Sequence, residues 1–183
     1  MTNTFDMQTI FREDIPLIDV RAPVEFDAGA FSQACNLPIL DDVQREQVGI
    51  CYSASGPESA TSLGHDLVSG EDRDRKVASW VAFLLEHPDA LLYCFRGGQR
   101  SSIACEWLQA EGFDVPKIEG GYKALRRCLL STIENLPPLI IVAGKTGSGK
   151  TEFLQQFHQA VDLEGLANHR GSAFGRHISA QPT

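Results

Sequence analysis

Long apolar runs are missing from this sequence. No stretch is long enough to cross a bilayer, so an integral membrane protein is not expected. The first residues, MTNTFDMQTIFREDIP, lack both the basic segment and the apolar core of a secretory signal peptide. We therefore expect a cytoplasmic protein with no membrane partner. Its 183 residues are 43% hydrophobic and 22% charged, which is an ordinary globular balance.

Paired cysteine motifs are also missing. The five cysteines contain no CxxC pair and no spacing typical of a metal site, so no metal-binding cysteine cluster is predicted. A scattered cysteine in a reducing compartment is usually a small buried hydrophobic residue. A reactive cysteine must therefore be identified from its local context.

An excess of positive charge is the third absence. The net charge is −8, which argues against nucleic-acid binding through bulk charge alone. Two local clusters of cations remain, Arg96 with Arg100, and Lys123 with Arg126 and Arg127. We interpret the second cluster as a solvated helix face.

Short apolar runs alternate with segments of helical periodicity. This order predicts an α/β fold in which a parallel sheet is flanked by helices. The predicted strands are 17–20, 36–39, 90–94 and 115–118. The predicted helices are 41–54, 58–67, 71–87, a segment from an N-cap at Ser101 to Gly112, and 122–133.

A second domain is predicted to begin after Pro137-Pro138. Residues 139–143 form an apolar run typical of a buried strand, and a glycine-rich loop and a helix near 152–160 follow. Only about 45 residues remain, too few for a complete P-loop domain. We therefore predict a first domain over 1–136 and an incomplete P-loop α/β domain over 137–183.

Cys94 has the context that the other cysteines lack. It ends a predicted strand, and a glycine-containing loop leads into a helix, so backbone N–H groups and the helix N-terminus can favour a thiolate. Such a thiolate could accept sulfur or selenium, or attack phosphorus. The residues predicted to bind the anionic part of a donor are Arg96, Gly97, Gly98, Gln99, Arg100 and Ser101.

The second loop matches the phosphate-binding pattern G-x-x-x-x-G-K-[ST]. It lies between a predicted strand and a predicted helix, with Lys150 placed for a terminal phosphate and Thr151 for Mg²⁺. Its predicted phosphate-binding residues are Gly144, Lys145, Thr146, Gly147, Ser148, Gly149, Lys150 and Thr151. In the segment that follows, Asp162 and Glu164 could serve a metal-bound phosphate, and His169 and Arg170 could contact an anion. From residue chemistry alone we favour a loop without such a role.

Residues 17–21 (LIDVR), 25–26, 29–30 and 36–38, the Cys94 loop and Gly120-Gly121-Tyr122 resemble rhodanese domains. The resemblance covers roughly residues 5–130 and implies that Cys94 carries a persulfide, with Asp19 and Arg21 as structural residues. Arg100 is the sixth residue after Cys94, and this Cys-x5-Arg spacing resembles dual-specificity phosphatases. The same spacing occurs in a selenium-handling rhodanese group, so both alternatives stay open on spacing.

The order of the two loops, with the segment DLEGLANHRGS at 162–172, closely resembles the tRNA 2-selenouridine synthase family. That resemblance implies exchange of sulfur for selenium at a wobble 2-thiouridine of tRNA, through a geranylated intermediate. Selenophosphate and geranyl diphosphate would be co-substrates, no cofactor would be tightly bound, and tRNA and a selenophosphate supplier would be partners. Family members are about twice as long, so this chain matches their N-terminal half. The alternatives are a Cys-x5-Arg phosphatase and an inactive fragment or binding module.

Overall fold

A computed structural model of the chain describes residues 6–145 and 147–168. The backbone divides into two units, Met1–Asn135 and Leu136–Thr183.

The first unit is built on a small parallel sheet. Its strands are β1 (Leu17–Asp19), β2 (Ala34–Asn36) and β3 (Leu91–Tyr93), in the order β2-β1-β3. The central strand β1 is buried along its whole length, as expected for a parallel sheet covered on both faces. The predicted α/β architecture with a parallel sheet is confirmed.

In the described part of the first unit, six helices accompany the sheet. Successive strand residues point to opposite faces of the sheet. Ile18 and Leu92 pack into one core with Trp80 and Leu108, while Leu17 and Leu91 belong to a second core. The helices are α1 (Met7–Arg12), α2 (Pro23–Asp27), α3 (Asp42–Leu67), α4 (Gly70–Glu86), α5 (Gln99–Ala110) and α6 (Gly121–Glu134).

Several predicted boundaries in this unit are wrong. The strand predicted at 36–39 is found at Ala34–Asn36, because Pro38 has no N–H to continue a ladder. The strand predicted at 115–118 is reduced to one bridge, Leu92 to Lys117. By contrast, the two helices predicted at 41–54 and 58–67 are confirmed: the span α3 consists of two helices joined across a kink at Gly56, whose φ of 82° and ψ of −178° are not helical.

The two tryptophans of the chain lie together in the first unit. Trp80, from α4, is fully buried and donates its indole N–H to the Leu37 carbonyl at 2.9 Å. Trp107, from α5, stacks on it with ring centroids 6.1 Å apart. The pair therefore joins α4 to the helix that follows Cys94.

The described part of the second unit contains two short helices, α7 (Lys150–Leu154) and α8 (Leu163–Leu166). The strand predicted at 139–143 does not form: Ile140 is 95% exposed and Ile141 is 86% exposed. A buried parallel strand needs neighbouring strands, and the described part of this unit contains none. The helix predicted at 152–160 ends at Leu154.

Among the described residues, no helix is both long and apolar enough to span a bilayer. The same residues contain no group of three or more His, Cys, Asp or Glu side chains arranged to hold a metal ion.

Candidate active site at Cys94

Cys94 lies at the carboxyl end of β3, where the loops of a parallel sheet bind ligands. Its side chain is only 2% exposed. The loop ends at Gly98, which is the N-cap of α5, so this helix directs its N-terminus into the loop. The predicted strand–loop–helix arrangement around Cys94 is present.

Ser101 was predicted as the N-cap and this prediction is wrong. The cap is Gly98, whose carbonyl accepts the N–H of Ser102 at 3.1 Å. Ser101 instead lies inside the first turn, where its hydroxyl donates to the Gly98 carbonyl at 2.9 Å and lies 3.3 Å from Cys94 Sγ. In the thiol form Cys94 donates to Ser101 Oγ, and after deprotonation the hydroxyl proton can turn to the thiolate.

Opposing effects set the acidity of Cys94. Burial raises the pKa of the thiol. Hydrogen bonds from the Ser101 hydroxyl and from the backbone N–H groups of Arg96 and Ser101, together with the charge of Arg100, outweigh burial and hold the pKa below its ordinary value. By contrast, burial raises the pKa of Cys105 to about 11. The loop therefore favours a thiolate at Cys94, whereas Cys105, which lies outside the loop, stays a thiol.

Arg100 is committed to a carboxylate. Its guanidinium forms a two-pronged ion pair with Glu25, with N–O distances of 2.5 and 3.1 Å. Burial raises the pKa of Glu25. The pairing with Arg100 has the larger combined effect, so the pKa of Glu25 lies below its ordinary value. Arg100 is predicted to bind the donor anion, and its guanidinium is already paired with Glu25 before any donor is present.

A buried ion pair between Arg21 and Asp19 lies next to the Glu25–Arg100 pair. Arg21 pairs with Asp19 at 2.6 Å and donates to the backbone carbonyls of Glu25 and Gly29 at 3.0 and 2.9 Å. Its guanidinium carbon lies 4.0 Å from the centroid of the Tyr122 ring. Arg21 therefore fixes the backbone of Glu25, which in turn holds Arg100.

Tyr93, the residue before Cys94, belongs to the same network. Its hydroxyl donates to Asp19 Oδ2 at 2.7 Å. Burial and the neighbouring carboxylate raise the pKa of Tyr93, so the phenol stays protonated. The Tyr93 side chain therefore links β3 to β1 through its hydrogen bond to Asp19, next to the Cys94 loop.

Glycine is required at Gly97 and at Gly121, where φ is +65° and +55°. A Cβ at Gly97 would lie 2.7 Å from the Ile118 carbonyl oxygen, and one at Gly121 would overlap the Cys94 carbonyl oxygen. Gly98 has an ordinary negative φ, and a Cβ there would meet nothing within 4 Å. Of the two glycines in the Cys94 loop, only Gly97 is therefore required to be glycine by the backbone and its surroundings.

The mouth of the loop is formed by exposed and half-buried groups. Arg96 and Gln99 are exposed, so both of these predicted anion-binding residues are accessible to a donor from solvent. Phe95 is half-buried and stacks on Tyr122 with centroids 6.0 Å apart, and Lys123 Nζ lies 5.2 Å from its ring centroid.

The second predicted site lies in the second unit. Lys150 donates to the carbonyl oxygens of Gly144 and Lys145 at 3.1 and 3.2 Å. Gly147 and Gly149 both adopt positive φ. Thr151 and Ser148 are exposed. Thr146, His169 and Arg170 lie outside the described residues.

Comparison with known proteins places the chain in a family. A family model described as the tRNA 2-selenouridine synthase AAA domain matches residues 137–183. A tRNA 2-selenouridine synthase of Shewanella woodyi is 51% identical over 96% of this chain and 49% of its own length. One from Shewanella loihica is 54% identical over 92% of this chain and 46% of its own length. The chain belongs to the tRNA 2-selenouridine synthase family. It spans about half the length of the curated relatives that it matches.

A solved structure supports the α/β fold of this family member. The "N-terminal domain of putative ATP/GTP binding protein" from Clostridium difficile 630 matches with a TM-score of 0.59 and 31% identity. The match covers 64% of this chain and 90% of that chain. Because 64% exceeds the share of the chain in Leu136–Thr183, the match includes part of the Cys94 unit.

Sequence reasoning missed the role of Glu25. It appeared only as part of a family motif, yet it is the partner of Arg100, 75 positions along the chain. No local pattern signals a pair of that separation. In this tRNA 2-selenouridine synthase family member, the contact follows from the fold, which brings the start of α2 beside the start of α5.

Proposed function

We propose that the first unit is a rhodanese-like chalcogen-transfer domain of a tRNA 2-selenouridine synthase, with Cys94 as the carrier. The observation that supports this most directly is the position of the buried Cys94 between β3 and the N-terminus of α5, with its sulfur 3.3 Å from Ser101 Oγ. This surrounding lowers the pKa of the thiol. The substrate would be a tRNA 2-thiouridine, in agreement with the names of the relatives. The site of action would be the cytoplasm.

In the proposed loading step, the Cys94 thiolate attacks the terminal chalcogen atom of an anionic donor. A bond between sulfur and that chalcogen forms as the donor's own bond to it breaks, and the electron pair leaves with the remaining anion. That anion is sulfite when the donor is thiosulfate. The selenium of selenophosphate is at the selenide level, so it would enter by displacing the outer sulfur of a Cys94 persulfide formed in this way, with hydrosulfide leaving and the phosphoryl group passing to water as phosphate. Arg96, Gln99 and the loop N–H groups would hold the donor, while the Ser101 hydroxyl and Arg100 would stabilise the charged carrier.

For the second unit we propose diphosphate binding at 144–151, with geranyl diphosphate as the ligand that the family implies. Lys150 supports this, because its ammonium group already lies over loop carbonyl oxygens and can turn to a phosphate. Thr151 is exposed and its hydroxyl would hold a Mg²⁺ ion that accompanies the diphosphate. A selenophosphate-producing enzyme would be the partner that supplies the first unit.

Intact mass spectrometry tests the carrier role. The chain is incubated with thiosulfate alone, or with thiosulfate followed by selenophosphate. The expected result is a gain of one sulfur atom in the first case and of one selenium atom in its place in the second. The gain should vanish in Cys94→Ser and persist in the matched variant Cys105→Ser, because the pKa of Cys105 is raised to about 11 and its thiol stays protonated.

Three results would overturn the proposal. A gain that survives Cys94→Ser would place the carrier elsewhere. No gain in a chain shown to be folded, together with Cys94-dependent hydrolysis of a phosphate ester, would favour the Cys-x5-Arg phosphatase. If neither reaction occurs, a binding module becomes the better description.

A further inference from the structure

The burial of Cys94 restricts how an RNA substrate can reach it. The side chain is 2% exposed at the bottom of a short loop, so a base that remains stacked in an RNA helix cannot contact the sulfur. The nucleotide must be turned out of its strand, and the phosphates on either side must then lie on the protein surface around the loop. This step rests on the proposed function, which makes RNA the substrate at Cys94.

An exposed set of cations occurs next to the loop. Lys123, Arg126 and Arg127 are exposed on α6, at spacings that place them on one side of the helix. We call these three residues the α6 cationic face. Within the described part of the chain, none of the three forms an ion pair with a carboxylate.

Helix α4 provides the contrast within the same unit. It also carries three cations in close succession, Arg73, Arg75 and Lys76. Each is paired on its own helix, Arg73 with Asp74, and both Arg75 and Lys76 with Asp72. Every cation of the α4 set is therefore in an ion pair, whereas, among the described residues, no cation of the α6 cationic face is.

The α6 cationic face is continuous with the mouth of the Cys94 loop. The N–H of Tyr122 donates to the Cys94 carbonyl at 2.9 Å, and that of Lys123 donates to the Phe95 carbonyl at 3.2 Å. From Lys123 to Arg127 the face extends about 6 Å along the helix, at 1.5 Å per residue. Gly121 permits this contact, because any side chain there would overlap the Cys94 carbonyl oxygen.

We infer that the α6 cationic face binds the phosphodiester backbone beside the nucleotide that enters the Cys94 loop. A chain of net charge −8 repels RNA over much of its surface, so attraction must come from a local group of unpaired cations. This revises the interpretation of the same cluster as a merely solvated helix face.

The experiment compares two triple variants of the full chain with equal changes of charge. Lys123→Gln, Arg126→Gln and Arg127→Gln remove the α6 cationic face, and Arg73→Gln, Arg75→Gln and Lys76→Gln serve as the matched control on α4. Glutamine is chosen because its helix propensity is close to that of lysine and arginine. The probe is a fluorescein-labelled RNA stem-loop with 2-thiouridine in its loop, titrated by anisotropy over a range of salt concentrations.

For the α6 variant we expect affinity to fall about tenfold or more at ~0.1 M salt. The slope of log affinity against log salt should decrease by about 2, for three lost phosphate contacts at ~0.7 each. The α4 variant should bind like the unchanged chain. Loading of Cys94 with selenium or sulfur, measured by intact mass without RNA, should be the same in all three proteins.

Three results would overturn the inference. The α6 variant could keep the affinity and the salt slope, or both triple variants could lose affinity equally, which would indicate bulk charge. The unchanged chain could also load Cys94 and yet fail to bind the RNA. Failure of Cys94 loading, with RNA binding still dependent on the α6 cationic face, would count against the proposed carrier role and not against this surface.

Discussion

The Cys94 loop and the loop at 144–151 look alike in sequence and differ in how they are held. Both contain glycines and both lead into a helix. The Cys94 loop follows a paired strand, and its carbonyl groups accept N–H groups of Tyr122 and Lys123 at the start of α6. The loop at 144–151 follows an exposed segment without strand pairing, and its described side-chain contacts come from its own Lys150.

This difference teaches that a loop motif and the conformation it needs are separate properties. An anion-binding loop must hold several N–H groups at fixed directions, and neighbouring elements provide that constraint. At Cys94 the constraint is supplied by the sheet, by α6 and by the buried Arg21–Asp19 pair. Four variants can break or sharpen the contrast.

The largest effect is expected from Arg21→Met. Removing the guanidinium leaves the Asp19 carboxylate buried without its partner, which costs about 3–5 kcal/mol in the free energy of unfolding. Urea denaturation of the first unit measures it. The control Arg75→Met breaks an exposed ion pair with Asp72 and should cost at most about 1 kcal/mol. Equal losses from the two variants would refute the role of the buried pair.

A smaller effect is expected from Gly97→Ala. The left-handed φ and the approach of the Ile118 carbonyl make a Cβ costly, by about 1–3 kcal/mol. Gly98→Ala is the control and should stay within about 0.5 kcal/mol, since its φ is negative and its surroundings are open. Thermal unfolding of the two variants distinguishes them, and similar melting temperatures would contradict the strained geometry at Gly97.

Ser101→Ala should change acidity more than stability. The hydroxyl that donates to the thiolate is lost, so the pKa of Cys94 rises, and the pH dependence of its alkylation by iodoacetamide moves upward. Ser102→Ala is the control, because that hydroxyl contacts the Gly98 carbonyl and not the sulfur. An unchanged alkylation profile in Ser101→Ala would show that the hydroxyl does not stabilise the thiolate.

The same variant has a linked effect on stability. Because the pKa of Cys94 is lower in the folded state, the thiolate stabilises the fold fully above the ordinary thiol pKa. This contribution is lost as the pH falls through the folded-state pKa. Ser101→Ala should therefore reduce the gain in unfolding free energy between these two pKa values.

The smallest effect is expected from Lys150→Gln without ligand. Its ammonium group is held by two exposed backbone contacts, so the unfolding free energy should change by less than about 0.5 kcal/mol. Urea denaturation checks it. A loss comparable to that of Gly97→Ala would mean that the loop at 144–151 is braced as firmly as the Cys94 loop.

The sequence predicted an element correctly where its formation depends on residues close together in the chain. The run at 17–20 and the apolar stripe of α4 predicted β1 and a helix within about one residue, because burial alone determines them. The N-cap at Ser101 was misassigned because a serine there can either cap a helix or contact the thiol. The strand at 139–143 was predicted from apolarity, but strand formation also requires partners. The Glu25–Arg100 pair depends on packing between residues 75 positions apart, which hydrophobic periodicity in the sequence does not predict.

The stacked pair of Trp80 and Trp107 gives the molecule a built-in optical label. The sequence contains only these two tryptophans, and both belong to the first unit. Emission excited selectively from tryptophan therefore reports on that unit alone, while calorimetry records heat from the whole chain. Trp107 lies on the helix that begins at the Cys94 loop, so its emission can also follow donor binding in real time without an added dye.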